Sequence, residues 1–126
     1  MAEITYSQQE TIDTTNDNIV IKSMIEDIPG GKALDVTGWN PTTIPAGHPI
    51  ILSTSGEYQP IPLLEGDTEI DDTDADKTVG YLAGTILTAK PEASIMVRGT
   101  VNPNAAVYTI PTGCKTATPL VRFEGD

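Results

Sequence analysis

VGYLAGTILTAKPEASIMVRGTV, residues 79 to 101, holds two runs of β character on either side of a short break at Lys90, Pro91 and Glu92. Val79, Tyr81 and Ala83 alternate with Leu82, Gly84 and Ile86 on the first arm, and Ile95, Val97 and Gly99 alternate with Met96 and Arg98 on the second. A period of two is what strands require, so the stretch reads as a hairpin. Pro91 has a fixed φ and no backbone N–H, which places it in the connection with Glu92 behind it. Gly84 and Gly99, inside the arms, mark bulges or points where another backbone passes close.

The flanks add further β signals. Residues 19 to 37, IVIKSMIEDIPGGKALDVT, surround Pro29-Gly30-Gly31, whose order suits a type II turn, and so predict a second hairpin with one wet face. Pro41, Pro45, Pro49, Pro60 and Pro62 leave little room for a helix in the next stretch. Short strands are expected at Ile50–Ser53 and Glu57–Ile61, joined by Thr54-Ser55-Gly56. Trp39, the single tryptophan, suits either the core or a subunit contact. Asn102-Pro103-Asn104-Ala105-Ala106 suits a turn or, preferably, one short helix with Asn102 as N-cap. AVYTI then predicts a strand, Thr112 and Gly113 a loop, and PLVRFE a final strand with Leu120 and Arg122 opposed to Val121 and Phe123.

The chain of 126 residues has room for one domain of modest core, residues 19 to 126, preceded by an arm of residues 1 to 18. The arm, MAEITYSQQETIDTTNDN, is polar and Thr-rich, with isolated apolar residues at Ile4, Tyr6 and Ile12. It is expected to be flexible and extended, and able to add as a strand to a neighbouring sheet edge. Aromatic residues make up only 5% of the chain, so the core must rest on Ile, Val, Leu and Ala, and oligomerisation is expected to help. Eleven glycines and ten prolines, about a sixth of the chain against roughly an eighth in average usage, favour turn-rich β structure.

A net charge of −11 repels phosphate backbones and anionic lipid, so neither nucleic acid nor membrane is an expected partner. One cysteine, Cys114, precludes an intrachain disulfide. No apolar run approaches the roughly 20 residues that span a bilayer, and the opening MAEITYSQQE has no secretion-signal pattern, so assembly in a cytoplasm is expected.

Catalytic sets are absent from the pattern. The single histidine, His48, sits between Gly47 and Pro49 and reads as a turn residue. Cys114 stands beside Lys115, which would lower its pKa, but no second histidine accompanies it. The acidic stretch 65 to 77, EGDTEIDDTDADK, carries seven carboxylates and reads as a solvated loop. Its Asp72, Asp74 and Asp76 alternate as in a calcium loop, yet Lys77 stands where the turn needs glycine and Ala83 where the bidentate glutamate belongs. No enzyme activity, metal or cofactor is expected.

The order IPAGHPIIL, SGEYQPI, an acidic spacer, VGYLAGTIL, a turn and IMVRGTVNPNAAV resembles the small head-decoration proteins of tailed bacteriophages, over roughly Ile44 to Val107. It is similar also to the head-fibre proteins of such viruses. The resemblance implies a mainly β, small barrel-like domain of the β-tulip type with at most one short helix. It also implies a homotrimer on the outer surface of the virion, bound to the major capsid protein and stabilising the shell. Ile4, Thr5, Tyr6 and Ile12 would then form the capsid-binding arm, with Trp39 and Tyr58 as candidate subunit contacts. The alternative is a surface β module that binds host glycans or receptors through Trp39, Tyr58 and Tyr81.

Overall fold

A computed structural model describes residues 17–28 and 32–124, and the fold is mainly β. The arm residues Ile4, Thr5, Tyr6 and Ile12, and the turn at Pro29-Gly30-Gly31, lie outside the described residues. A four-residue helix, α1 (Asp17–Val20), leads into β1 (Ile21–Asp27). Then follow β2 (Lys32–Ala33), β3 (Thr43–Ile44), β4 (Pro49–Leu52) and β5 (Tyr58–Pro60). A kinked 3₁₀ segment (Asp72–Lys77) precedes β6 (Thr78–Leu82), β7 (Ile86–Leu87), β8 (Glu92–Ala93) and β9 (Ile95–Val101). A second helix, α2 (Thr112–Ala117), and β10 (Val121–Phe123) complete the order.

The main sheet runs β1-β9-β6-β4-β5, with β10 also joined to β9. Every pairing in it is antiparallel except β10 with β9, which is parallel. β1 lies along one edge of β9, so β6 at Ile95–Met96 and β10 at Gly99–Val101 must share the other. Two small ladders, β2 with β8 and β3 with β7, stand apart from it.

The expected hairpin at 79–101 forms its base as read: Tyr81 faces Met96, Leu82 faces Ile95, and Ala83 N–H donates to Ser94 O at 2.9 Å. Its tip differs. Rather than continuing the first arm, Ile86–Leu87 leave to pair with Thr43–Ile44, and Glu92–Ala93 pair with Lys32–Ala33. The cause is packing, because Ile86 and Ala93 fill a second apolar cluster that a simple hairpin would leave open. Gly84 lies in the bend where the chain leaves β6. The hairpin expected at 19–37 does not form either, since β1 takes the seven-residue β9 as its neighbour and β2 goes to β8.

The β4–β5 hairpin appears where expected, with Ser53 N–H on Glu57 O at 2.9 Å and Gly56 at φ 91° in the turn. Residues 102–106 adopt the turn and not the short helix: Asn104 N–H donates to the Asn102 side chain at 3.0 Å and Ala105 N–H to Asn102 O at 3.2 Å. Residues 106–110 are not a strand, and Thr112–Gly113 open α2 instead of a loop. β10 keeps the predicted alternation, with Val121 buried and Leu120 and Arg122 exposed.

Both faces of the main sheet are buried where β4, β6 and β9 adjoin. Ile51, Tyr81 and Met96 pack into one cluster with Val101, Ile110, Cys114 and Val121. Their chain neighbours Ile50, Leu82 and Ile95 point the other way, to Leu34, Trp39, Ile44 and Ala93. Successive strand residues face opposite sides, so these paired apolar residues are the mark of a sheet covered twice.

Gly99 is the tightest point of the sheet. A Cβ there would stand 2.3 Å from Ser23 O and 2.7 Å from Met96 Sδ. Gly99→Ala is therefore expected to cost about 2 to 3 kcal/mol through overpacking, read as a lowered urea midpoint at unchanged m-value.

Candidate functional site

The surface that stands out is β1. It has one strand neighbour among the described residues and five of its seven residues are exposed. Its ladder with β9 skips Lys22 and Ile25 on one side and Val97 on the other, so the strand is bulged and twisted. The skipped Ile25 is 67% exposed, its neighbour Met24 is 49% exposed, and Ile19 of α1 is also exposed. Around them Glu26 faces Arg98 across the ladder, and Lys22 and Arg122 reach Glu124 at 3.7 and 3.1 Å. Such exposed pairs add little stability, and they edge the apolar rim with charge.

Two grooves flank other parts of the sheet. One of about 510 Å³ lies between Lys32–Asp35 and Gly56–Tyr58, with Tyr58 half-buried in its wall and Asp35 N–H donating to Tyr58 O at 2.8 Å. Asp35 is held below the usual carboxylate range by the Thr37 hydroxyl and N–H, at 2.7 and 3.1 Å. The other, about 200 Å³, is lined by Val79, Val97, Pro119 and Leu120.

Trp39, His48 and Tyr81 are core residues. Trp39 is 8% exposed, its indole N–H donates to Thr43 O at 3.2 Å, and little of it remains for a neighbouring subunit. His48 follows the turn at Ala46-Gly47, with its backbone N–H on Pro45 O at 3.2 Å, and is 3% exposed, with Nε2 2.9 Å from Ile61 O. That carbonyl can only accept, so Nε2 carries the proton. Burial pushes the His48 pKa from 6.5 down to about 4, against the opposing effect of the bond to Ile61. Tyr81 is fully buried, and its hydroxyl meets Cys114 O at 3.1 Å and Thr118 Oγ1 at 2.9 Å. Thr118 Oγ1 also lies 2.9 Å from Cys114 O, so two hydroxyl protons serve three contacts and fasten α2 to β6.

No protein-family model matches the chain, and no curated protein matches it.

The Cys114 thiol is pushed up by burial and by the charge of Asp72, with a hydrogen bond to Thr78 opposing. Lys115, adjacent in sequence, points instead over the Phe123 ring at 5.5 Å, so the lowering expected from it does not occur. In the acidic stretch, Asp71 caps the 3₁₀ segment by accepting from Thr73 N–H and Oγ1, which hold its carboxyl below the usual range. Lys77 pairs with Asp74 at 3.4 Å. This region is a capped helical turn, packed on α2 through Ala75 and Gly113, rather than a loop throughout. Among the described residues no group of three or more His, Cys, Asp or Glu could hold a metal, and no helix is long and apolar enough to cross a membrane.

Tyr81→Phe removes the phenol hydroxyl while leaving Thr118 on the Cys114 carbonyl. A loss of about 1 to 2 kcal/mol is expected in urea. The fully buried Cys114 should label slowly with a thiol reagent in the native protein and faster in this variant, which a timed absorbance assay measures.

Proposed function

We propose that this protein is a non-enzymatic virion component, a homotrimer that binds the outer surface of a bacteriophage head through the major capsid protein and stabilises the shell. The observation that carries the reading is the bulged edge strand β1, whose exposed Met24 and Ile25 follow closely on the polar, Thr-rich residues 1–16. An edge strand with exposed apolar residues offers backbone groups and side chains together, which is the chemistry of strand addition. Burying Met24 and Ile25 would contribute about 1.5 to 3 kcal/mol each before ordering costs. Threefold repetition would raise such a modest contact by about two to four orders of magnitude in avidity.

The motif order supports the same reading. IPAGHPIIL falls on β3 and β4, SGEYQPI on β5, VGYLAGTIL on β6 and β7, and IMVRGTV on β9. The net charge of −11 suits a protein of the outer shell surface that is repelled by packaged nucleic acid. Assembly would follow synthesis in the host cytoplasm. A second reading, a head-fibre or surface module that binds host glycans, is favoured by the groove that holds Tyr58. Trp39 and Tyr81, being buried, would take no part in it.

The full chain, at 13.4 kDa, should sediment at three times that mass, about 40 kDa, at micromolar concentration. Removing residues 1–16 should leave the trimer intact and abolish cosedimentation with empty expanded heads of the cognate capsid protein. Ile25→Asp should weaken that cosedimentation at least about tenfold, as loss of a buried anchor does. A monomer, or unchanged head binding by the truncated chain, would count against the proposal, and retained binding to a glycan array would favour the second reading.

A further inference from the structure

Three aromatic rings meet where the two core clusters touch. The His48 ring lies 4.8 Å from Trp39 and 5.7 Å from Tyr108, and Trp39 and Tyr108 are 6.5 Å apart, all edge to face. Trp39 belongs to one cluster, while Tyr108 packs against both. Residues 106–110 lie outside every strand and helix, so the segment is kept in place by side chains: Tyr108 on these rings and Ile110 in the core.

We propose that His48 is an acid-sensitive latch: protonation of its buried ring releases Tyr108 and opens the 103–110 segment, exposing Trp39 while the main sheet stays formed. The geometry supplies the reason. The neutral ring presents one N–H to Ile61 O and apolar edges to its two aromatic neighbours. A second proton on Nδ1 would place a full charge in a site only 3% exposed, which is costly without a paired anion. No carboxylate or cation contributes to the shift of this group; burial lowers it and only the Ile61 carbonyl opposes. The titratable group that faces it is the Tyr108 phenol, itself pushed up by burial and then by the charge of Asp67. Trp39 and Ile61, which meet the ring from other parts of the chain, carry no titratable group. Residues 106–110, which hold Tyr108, belong to no strand or helix, so opening there is easier than parting β4 from β6.

The sign follows from linkage. A histidine lowered on burial favours the closed state fully above pH 6.5 and loses that advantage as the pH falls toward about 4. Between pH 6.5 and pH 4 the open-to-closed ratio rises by about 80-fold.

The inference is independent of the capsid reading and is tested on the full chain alone. The single tryptophan and single histidine make both readouts free of assignment. Acrylamide quenching of Trp39 emission should rise about threefold between pH 6.5 and pH 4 with far-UV circular dichroism unchanged, as local opening requires. The ring signals of His48, followed by NMR, should titrate with the same midpoint, well below 6.5. His48→Gln, whose amide can still donate to Ile61 O, should show quenching that does not vary with pH. A His48 midpoint near 6.5, quenching that rises equally in the Gln variant, or loss of circular dichroism in step with quenching would each overturn the proposal. Should the variant fail to fold, agreement or disagreement of the two wild-type curves decides it.

Discussion

β9 uses both of its hydrogen-bonding edges, and the arrangement of the molecule follows from that. β1 occupies one edge along its length, and β6 and β10 divide the other. A parallel neighbour cannot be reached by a tight turn, so the chain needs a crossover between Val101 and Val121. Residues 102–120 supply it, and α2 within them covers one face of the sheet, where Cys114 is wholly buried and Tyr81 ties the helix to β6. The stretch AVYTI, strand-like in its composition, stays irregular because β9 has no edge left to offer it.

The parts of the fold that could be read in the sequence are those with local causes. The β4–β5 hairpin is set by prolines and a Thr-Ser-Gly turn, and β10 by four alternating residues. The base of the 79–101 hairpin shows in its period, and Gly99 shows as a close approach to Ser23 O. β2, β3, β7 and β8 are two residues each, too short to carry any period. They are made by distant partners rather than by their own composition. α2 was hidden because Thr-Gly-Cys-Lys-Thr-Ala has weak helix propensity, and its stability comes from burial of Cys114 and the Tyr81–Thr118 hydroxyls. The pairs Ile50-Ile51, Tyr81-Leu82 and Ile95-Met96 did carry the signal of a sheet buried on both faces.

Less of the site was legible. The residue types that recommended Trp39 and Tyr81 for contact, large rings with a polar edge, serve equally for a buried ring with an internal hydrogen-bond partner, and that is the use made of both. Ile25 gave no sign of its exposure, because a bulge depends on the neighbouring strand and a single chain segment does not encode it. The acidic stretch was read correctly as solvated at most positions, while the Asp71-Thr73 cap that turns part of it into a helix lay within the same run of charges.

The β1–β9 ladder also fixes a timetable. Ile21 pairs with Val101, 80 positions later. At a ribosomal pace of about 5 to 20 residues per second, β1 waits roughly 4 to 16 s for its neighbour to be synthesised. Through that interval Met24 and Ile25 travel on an unpaired strand, in a chain whose folding speed is governed by remote contacts. The charges along β1, Lys22, Glu26 and Asp27, then protect the nascent chain by making it a poor template for the wrong partner.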